Sequence, residues 1–218
     1  MALVIGNQTY SAATPSAITR TISHTQDSGA DGYLFVFICC PTTTVTGVTY
    51  NSVAMTLHER QNVSAYSSDW TLWKLAAPST GANNVVVTFA AAQYNSTSFV
   101  IVSATGCNSI GQTSYESSGS TSVERTITSL ETTSKLFIGG MAGNNSGNVL
   151  SGISSPATNA ETNLYNHNVN NYTFGAFATI TLATTSYAKV TASTTVTIFA
   201  WEVKEAASAV TRKRIHVT

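Results

Sequence analysis

The residue types that most often perform chemistry form no recognisable motif in this chain of 218 residues. Its histidines show no metal-binding spacing such as HExxH, which sets two imidazoles on one helical face. We interpret each of them as a surface residue rather than as a ligand. The four histidines are His24, His58, His167 and His216. The sequence also lacks the GxSxG elbow of serine hydrolases and a glycine-rich loop that would cradle phosphate.

The ten carboxylates are scattered along the chain. Glycoside cleavage requires two carboxyl groups that face one cleft, so a polysaccharide hydrolase is an alternative that needs such a pair. Asp27 and Asp31 give residues 27–32 a loose similarity to a calcium loop, but the alternate acidic ligands and the closing Glu of an EF-hand are missing. We predict an ordinary turn there, bent at Asp31-Gly32. We predict no enzyme, no catalytic residue, no cofactor and no metal site.

The cysteines do not have the pattern of a disulfide framework, because they are odd in number and two are adjacent. They are Cys39, Cys40 and Cys107. Cys39 and Cys40 follow an apolar run and are predicted to be small buried hydrophobic residues. This usage predicts synthesis in a reducing cytoplasm.

Aromatic residues offer one binding hypothesis. Tyr66, Trp70 and Tyr94 are candidates for a ligand-contacting platform on which a sugar ring could stack. Successive residues of a strand point to opposite faces, so Trp70 and Trp73, three positions apart, face opposite ways. At least one of the two tryptophans is therefore predicted to lie in the core.

Charge is scarce in this chain, whose formal net charge is zero and whose charged residues amount to 9%. Because phosphate backbones are bound by clustered Lys and Arg, we predict no nucleic-acid partner. No apolar run approaches the length of a membrane span, which predicts no membrane partner. One basic cluster, Arg212, Lys213 and Arg214, is interpreted either as a solvated tail or as a short arm that docks on an acidic neighbouring subunit.

The elements that would position these residues are strands. Helical periodicity is nearly absent, and short β-rich runs alternate with Gly, Asn, Ser and Pro. Residues 33–38 are apolar on both faces, which predicts a central strand covered on both sides. Asn51-Ser52 predicts a two-residue hairpin turn. About ten to twelve such runs predict an all-β fold, an antiparallel β-sandwich of jelly-roll type.

A weak internal repeat accompanies this pattern. Residues 18–23 (ITRTIS) precede a buried run at 34–36, and residues 123–128 (VERTIT) precede a similar run at 136–138. The two Greek keys of one jelly roll would give such halves, and chance similarity in a Thr-rich sequence is the alternative. Residues 107–119 are interpreted as a loop that joins the two halves of one fold.

The resulting domain prediction has three parts. We predict an N-terminal arm over residues 1–15, a single jelly-roll sandwich over 16–205 and a basic C-terminal tail over 206–218. Both ends are predicted to be extended arms that contact other subunits, because their apolar and basic residues lie outside the sandwich pattern. The predicted assembly contacts are Leu3, Val4, Ile5, Arg212, Lys213 and Arg214.

A more specific pattern covers residues 45–90. It consists of TGVTYNSVAMTL at 46–57, WTLWKLAAP at 70–78 and NVVVT at 84–88. This order of hairpin, aromatic strand and Pro-Gly turn resembles a β-sandwich module that recurs in phage virion proteins and in bacterial surface proteins. The similarity extends over residues 15–205, with Asn51-Ser52 in place of the two glycines that the module usually has.

The resemblance implies non-enzymatic roles, such as capsid decoration, head fibres and receptor-binding domains of tail fibres. We therefore expect a phage capsid decoration or head-fibre protein, made in the host cytoplasm and incorporated into the virion. Its expected partners are itself, as a homo-oligomer such as a trimer, and other virion proteins such as the major capsid protein. The alternative is a receptor- or carbohydrate-binding adhesin domain of a tail fibre or bacterial surface protein, with a host surface glycan as partner.

Overall fold

A computed structural model describes most of the chain and places all of its regular structure in strands. The described residues are 2–13, 17–41, 43–63, 68–92, 97–118, 122–128, 133, 135–142, 150–154, 162–169, 172–178, 185–192 and 196–207. These ranges contain no helix, and so none long and apolar enough to cross a membrane. The all-β prediction is confirmed.

Seventeen strands are described, more than were expected. Several of them are polar edge strands, which lack the apolar alternation by which a strand is recognised in a sequence. The first half of the chain contains β1 Val4–Ala13, β2 Thr19–Gln26, β3 Tyr33–Pro41, β4 Val45–Tyr50, β5 Val53–Ala54, β6 Thr56–Val63, β7 Ser68–Ala76, β8 Gly81–Phe89 and β9 Thr97–Thr105. The second half contains β10 Cys107–Ser118, β11 Ser122–Thr128, β12 Lys135–Ala142, β13 Leu150–Ser154, β14 Thr162–Val169, β15 Tyr172–Ala178, β16 Thr185–Ala192 and β17 Val196–Glu205.

The first half forms two antiparallel sheets. Sheet I has the strand order β1-β9-β3-β7-β6, and sheet II has the order β2-β8-β4-β5. Four strands of each sheet follow the order of an eight-stranded jelly roll, and β6 extends sheet I by one edge strand. The predicted antiparallel sandwich of jelly-roll type is therefore present in this half.

The second half repeats this strand order. Sheet III runs β10-β17-β12-β15-β14, and sheet IV runs β11-β16-β13. Each strand of sheet III thus holds the place of its counterpart in sheet I. This arrangement differs from the single sandwich predicted over residues 16–205. Residues 107–118, interpreted from the sequence as part of a loop, form β10 and pair with β17.

Sheet I is covered on both faces. Leu34, Val36 and Ile38 of β3 point into a core shared with sheet II, which contributes Val85 and Val87 among others. The intervening residues of β3 point into a second core, to which sheet III contributes its own apolar residues. The two-faced apolar pattern of residues 33–38 correctly predicted a strand buried on both sides.

The second core is rich in aromatic side chains. From sheet I it receives Phe35, Phe37 and Trp70, and from β17 it receives Phe199 and Trp201. Phe37 stacks on Trp201 with ring centroids 5.2 Å apart, and Trp70 stacks on Phe199 at 4.2 Å. This core joins the two halves of the chain.

The N-terminal segment is a strand of the sandwich rather than an arm. β1 pairs with β9 along its length, from Val4 opposite Thr105 to Ala13 opposite Thr97. Leu3 lies in the core between sheets I and III and is only 6% exposed. The prediction that residues 1–15 lie outside the sandwich is therefore corrected. β1 has few large apolar residues, as is typical of an edge strand, and such a strand is easily missed in a sequence.

The predicted hairpin turn is confirmed. Asn51 and Ser52 both have positive φ, 47° and 64°, as the centre of a type I′ turn requires. They join β4 to β5, with Tyr50 opposite Val53.

Gly81 allows a test of the backbone geometry at the start of β8. Its φ of +84° lies in the region that L-residues avoid, so Gly81→Ala should lower the free energy of unfolding by about 1–2 kcal/mol. Gly47→Ala is the matched control, because a Cβ at either position meets nothing within 4 Å and Gly47 has no positive φ. Gly47→Ala should be neutral or slightly stabilising. Urea unfolding of both variants measures the difference, and equal losses would contradict this account.

Candidate functional site

An open polar cleft lies at one end of the first half. Its volume is about 410 Å³, and its walls come from the turn after β2, the turn after β7 and the first residues of β10. The polar residues that line it are Gln26, Asp27, Asp31, Tyr33, Thr80 and Asn108. A cleft of this size matches small-molecule sites, which usually measure several hundred Å³.

Backbone hydrogen bonds lock the walls of the cleft together. The N–H groups of Gly106 and Cys107 donate to the carbonyls of Ala30 and Asp31, each at 3.0 Å. The hydroxyl of Tyr33 donates to the carbonyl of Asn108 at 2.7 Å. The predicted bend at Asp31-Gly32 is present, since Asp31 has a φ of 51°. The turn after β2 is therefore tied directly to the junction between the two halves.

One carboxylate of the cleft is held in a fixed orientation. Asp27 accepts a hydrogen bond from the backbone N–H of Asn7 at 2.5 Å and another from the Asn7 side-chain amide at 2.6 Å. Gly6 makes this approach possible, because a Cβ there would lie 1.8 Å from Asp27 Oδ2. A carboxylate that is oriented in this way is a strong acceptor for hydroxyl or N–H donors of a ligand.

A buried polar network lies next to the cleft and joins sheets I and II. His24 is 1% exposed, and its two ring nitrogens lie 2.8 Å from Thr9 Oγ1 and from Ser103 Oγ. Ser103 in turn donates to Gln26 Oε1 at 3.1 Å. This pattern assigns the proton of a neutral imidazole to Nε2, with Thr9 donating to Nδ1. Burial lowers the pKa of His24 to about 4, although Asp27 acts to raise it.

The Ser–His contact in this network resembles a nucleophile beside its base, but its setting is that of a structural network. Ser103 is fully buried, and the group that orients His24 is the hydroxyl of Thr9 rather than a carboxylate. A nucleophile has to reach its substrate, which Ser103 as packed cannot do. The interpretation of His24 as a surface residue is therefore wrong. Ile22, His24 and Gln26 share one face of β2, and this two-residue period was the signal for its burial.

A second carboxylate, Asp69, is buried away from the cleft. It accepts a hydrogen bond from the backbone N–H of Val45 and forms an ion pair with Arg60, each at 3.1 Å. Burial raises the pKa of Asp69, while the Val45 N–H and Arg60 both oppose the rise. These contacts tie β4 to β6 and β7. Across the described ranges, no three His, Cys, Asp or Glu side chains gather where they could hold a metal ion.

The predicted aromatic platform is not formed at Trp70. Trp70 is 1% exposed and faces sheet III, while Trp73 is buried on the opposite face against sheet II. The prediction that the two tryptophans point opposite ways is confirmed, and both of them are core residues. Tyr66 and Tyr94 lie outside the described residues.

The three predicted N-terminal assembly contacts lie in different environments in the structure. Leu3 is in the core, Ile5 packs against it, and Val4 is exposed. Arg212, Lys213 and Arg214 lie outside the described residues. Val4 is therefore the one N-terminal candidate whose side chain is placed at the surface.

All three cysteines are buried and none forms a disulfide, and the burial of Cys39 and Cys40 was predicted from the sequence. Burial raises the pKa of Cys39 well above its usual value and raises the pKa of Cys40 and of Cys107 to about 12. Because the thiolate is the reactive form, we expect none of the three to react with Ellman's reagent at pH 8. All three should react after unfolding in guanidinium. A thiol that reacts rapidly in the folded protein would contradict this placement.

Comparison of the chain with models of known protein families, with curated proteins and with solved structures finds no match in any of the three. The fold and the cleft therefore have to be interpreted from their own residues.

Proposed function

We propose that this chain is a non-enzymatic structural protein of a phage particle, a capsid decoration or head-fibre component that assembles with other virion subunits. It would be made in the host cytoplasm and act in the virion. Its partners would be further copies of itself, as in a trimer, and virion proteins such as the major capsid protein. The resemblance over residues 45–90 supports this role, because Val48, Tyr50, Met55 and Trp73 of that pattern are core residues of the sandwich.

The observation that carries the proposal is the nature of the surface. Charged residues make up only 9% of the chain, and all three of its tryptophans are buried. Few charges are therefore left to face solvent, because the whole chain has only 10 Lys and Arg and 10 Asp and Glu. Burying a charge in a contact carries a large desolvation penalty, so a neutral surface suits side-by-side packing of subunits.

Exposed apolar residues indicate where such a contact would form. Val53 on β5 and Leu57 on β6 are exposed and lie four positions apart along the chain. These are edge strands of sheets II and I, and an exposed strand edge readily pairs with a neighbouring subunit.

Light scattering coupled to size exclusion, together with co-sedimentation on empty phage shells, tests this role. We expect an oligomer that binds shells, and we expect Val53→Glu with Leu57→Glu to fold normally but to assemble poorly. Asn84→Glu, on an exposed position of β8 inside sheet II, is the control and should assemble as the parent does. A protein that stays monomeric at high concentration and ignores shells would refute the proposal.

A receptor- or carbohydrate-binding role is the second candidate, and the cleft is what favours it. Saccharides are bound by oriented carboxylate and amide groups, and Asp27, Asp31 and Asn108 offer such groups in one open space. A glycan array compares the parent with Asp31→Ala, and Asn62→Ala on β6 serves as a control outside the cleft. We expect binding that Asp31→Ala abolishes and Asn62→Ala leaves intact. A silent array, or binding indifferent to Asp31, would dismiss this role.

A further inference from the structure

The two halves share a sequence motif at their first strands. Residues 5–10 are Ile-Gly-Asn-Gln-Thr-Tyr, and residues 110–115 are Ile-Gly-Gln-Thr-Ser-Tyr, 105 positions later. The motifs lie in β1 and β10, which hold equivalent places in sheets I and III. The two segments are identical at three of six positions, as are residues 18–23 and 123–128, and both pairs of segments are offset by 105 positions.

The two motifs also have the same backbone irregularity. β1 has a bulge between Ile5 and Gln8, and β10 has one between Ile110 and Thr113. The pairing around each bulge is equivalent, since Tyr10 lies opposite Val100 and Tyr115 lies opposite Phe199. Bulges are specific features of a fold, so a shared bulge at a shared motif is strong evidence for a common origin.

Each bulge binds a carboxylate through the same atoms. The N–H of Asn7 donates to Asp27, and the N–H of Gln112 donates to Glu202 Oε2 at 3.2 Å. In both bulges the carboxylate occupies the space that a Cβ of the preceding residue would take, since a Cβ would lie 1.8 Å from Asp27 Oδ2 at Gly6 and 2.0 Å from Glu202 Oε2 at Gly111. The two carboxylates come from positions that are not equivalent, because Asp27 follows β2 and Glu202 lies on β17. The features that the two halves share are therefore the glycine and the bulge.

Equivalent positions of β1 and β9 in the first half, and of β10 and β17 in the second, contribute to the contact between the halves. The pairing registers of the two halves define five pairs of equivalent positions. These pairs are Ile5 and Ile110, Tyr10 and Tyr115, Val100 and Phe199, Val102 and Trp201, and Ala104 and Val203. All of these side chains lie in or against the core between sheets I and III. An interface in which one surface meets its own equivalent is isologous, as in a two-fold dimer.

We infer that the chain is a tandem duplication of one jelly-roll unit, and that the face shared by sheets I and III is a self-association surface whose partner is a second copy of that unit. Gly106, between β9 and β10, joins the two copies. The molecule is therefore a pair of like units held in one chain. This inference does not depend on the proposed virion role.

Cutting the folded chain at the junction tests the inference. A protease site is inserted between Gly106 and Cys107, the folded protein is cleaved, and native mass spectrometry identifies the species after dilution and reconcentration. We expect the two halves to stay paired, and we expect pairs of two first halves to form by exchange. Folded single halves, or mixed pairs without any like pair, would overturn the inference.

Two substitutions assign the pairing to this face. Phe199→Asp should cause the cleaved halves to separate, because it places a charge within the core between sheets I and III. Val87→Ala, in the core between sheets I and II, should lower stability but leave the halves paired.

If the inserted site prevents folding, a double-mutant cycle of Trp70→Ala and Phe199→Ala in the intact chain gives a second test. We expect a coupling of about tenfold in the unfolding equilibrium constant, and independent effects would count against the packing.

Discussion

Replacing Trp70 with alanine should lower the free energy of unfolding by about 3–5 kcal/mol, the usual loss for a large buried aromatic residue. Its ring stacks on Phe199 with centroids 4.2 Å apart and meets the edge of Phe37 at 5.2 Å. Alanine would leave a cavity between sheets I and III, at the contact that joins the halves. Urea unfolding followed by circular dichroism gives the measurement.

A control and a milder variant make this result interpretable. Ile18→Ala removes a side chain that is 57% exposed and should change stability by less than about 0.5 kcal/mol. Trp70→Phe keeps an aromatic ring in the stack and should lose less than Trp70→Ala. A loss below about 1 kcal/mol for Trp70→Ala would restore the idea that Trp70 is a surface contact for ligands.

The second large effect is a loss of stability in acid that depends on His24. Its pKa is lowered from 6.5 to about 4 in the folded protein, so the unfolded chain binds the extra proton between these values. Stability from this group is complete above pH 6.5, and it is lost as the pH falls from 6.5 towards 4. The linked free energy is about 3 kcal/mol, because each unit of pKa corresponds to about 1.4 kcal/mol.

The pH profile of His24→Gln isolates this contribution. The variant should lose less stability than the parent between pH 7 and pH 4.5, when both are measured by urea unfolding. His58→Gln is the control, because His58 is half-buried and burial lowers its pKa less far. A parent and a His24→Gln variant with parallel profiles would show that His24 titrates normally and is not enclosed between the sheets.

The parts of the fold that were predictable are those with a local signal. The two-faced apolar run of residues 33–38 identified β3, and Asn51-Ser52 identified the hairpin of β4 and β5, because strand burial and turn geometry depend on neighbouring residues. The opposite orientation of Trp70 and Trp73 followed from the two-residue period of a strand. The same two-residue period on β2 indicated that His24 is buried, but His24 was interpreted as a surface residue.

The parts that were missed depend on residues far apart in the chain. β1 and β10 are polar strands with few large apolar side chains, and their partners β9 and β17 lie about 90 residues away along the sequence. The cleft combines two turns with the junction at Gly106, and no single segment contains its pattern. The motif that β1 and β10 share, at residues 5–10 and 110–115, was visible in the sequence, but these residues were assigned to an arm and to a loop.

By itself, the sequence determined an all-β chain of low charge, a central strand covered on both faces, the buried thiols of Cys39 and Cys40, and the turns at Asp31-Gly32 and Asn51-Ser52. Only the tertiary structure decided what covers that strand, namely sheet III on one side and sheet II on the other. The reason is physical. Alternation along a strand indicates which of its side chains are buried. The sheet that covers those side chains is determined by pairing between strands far apart in the chain, which no local pattern encodes.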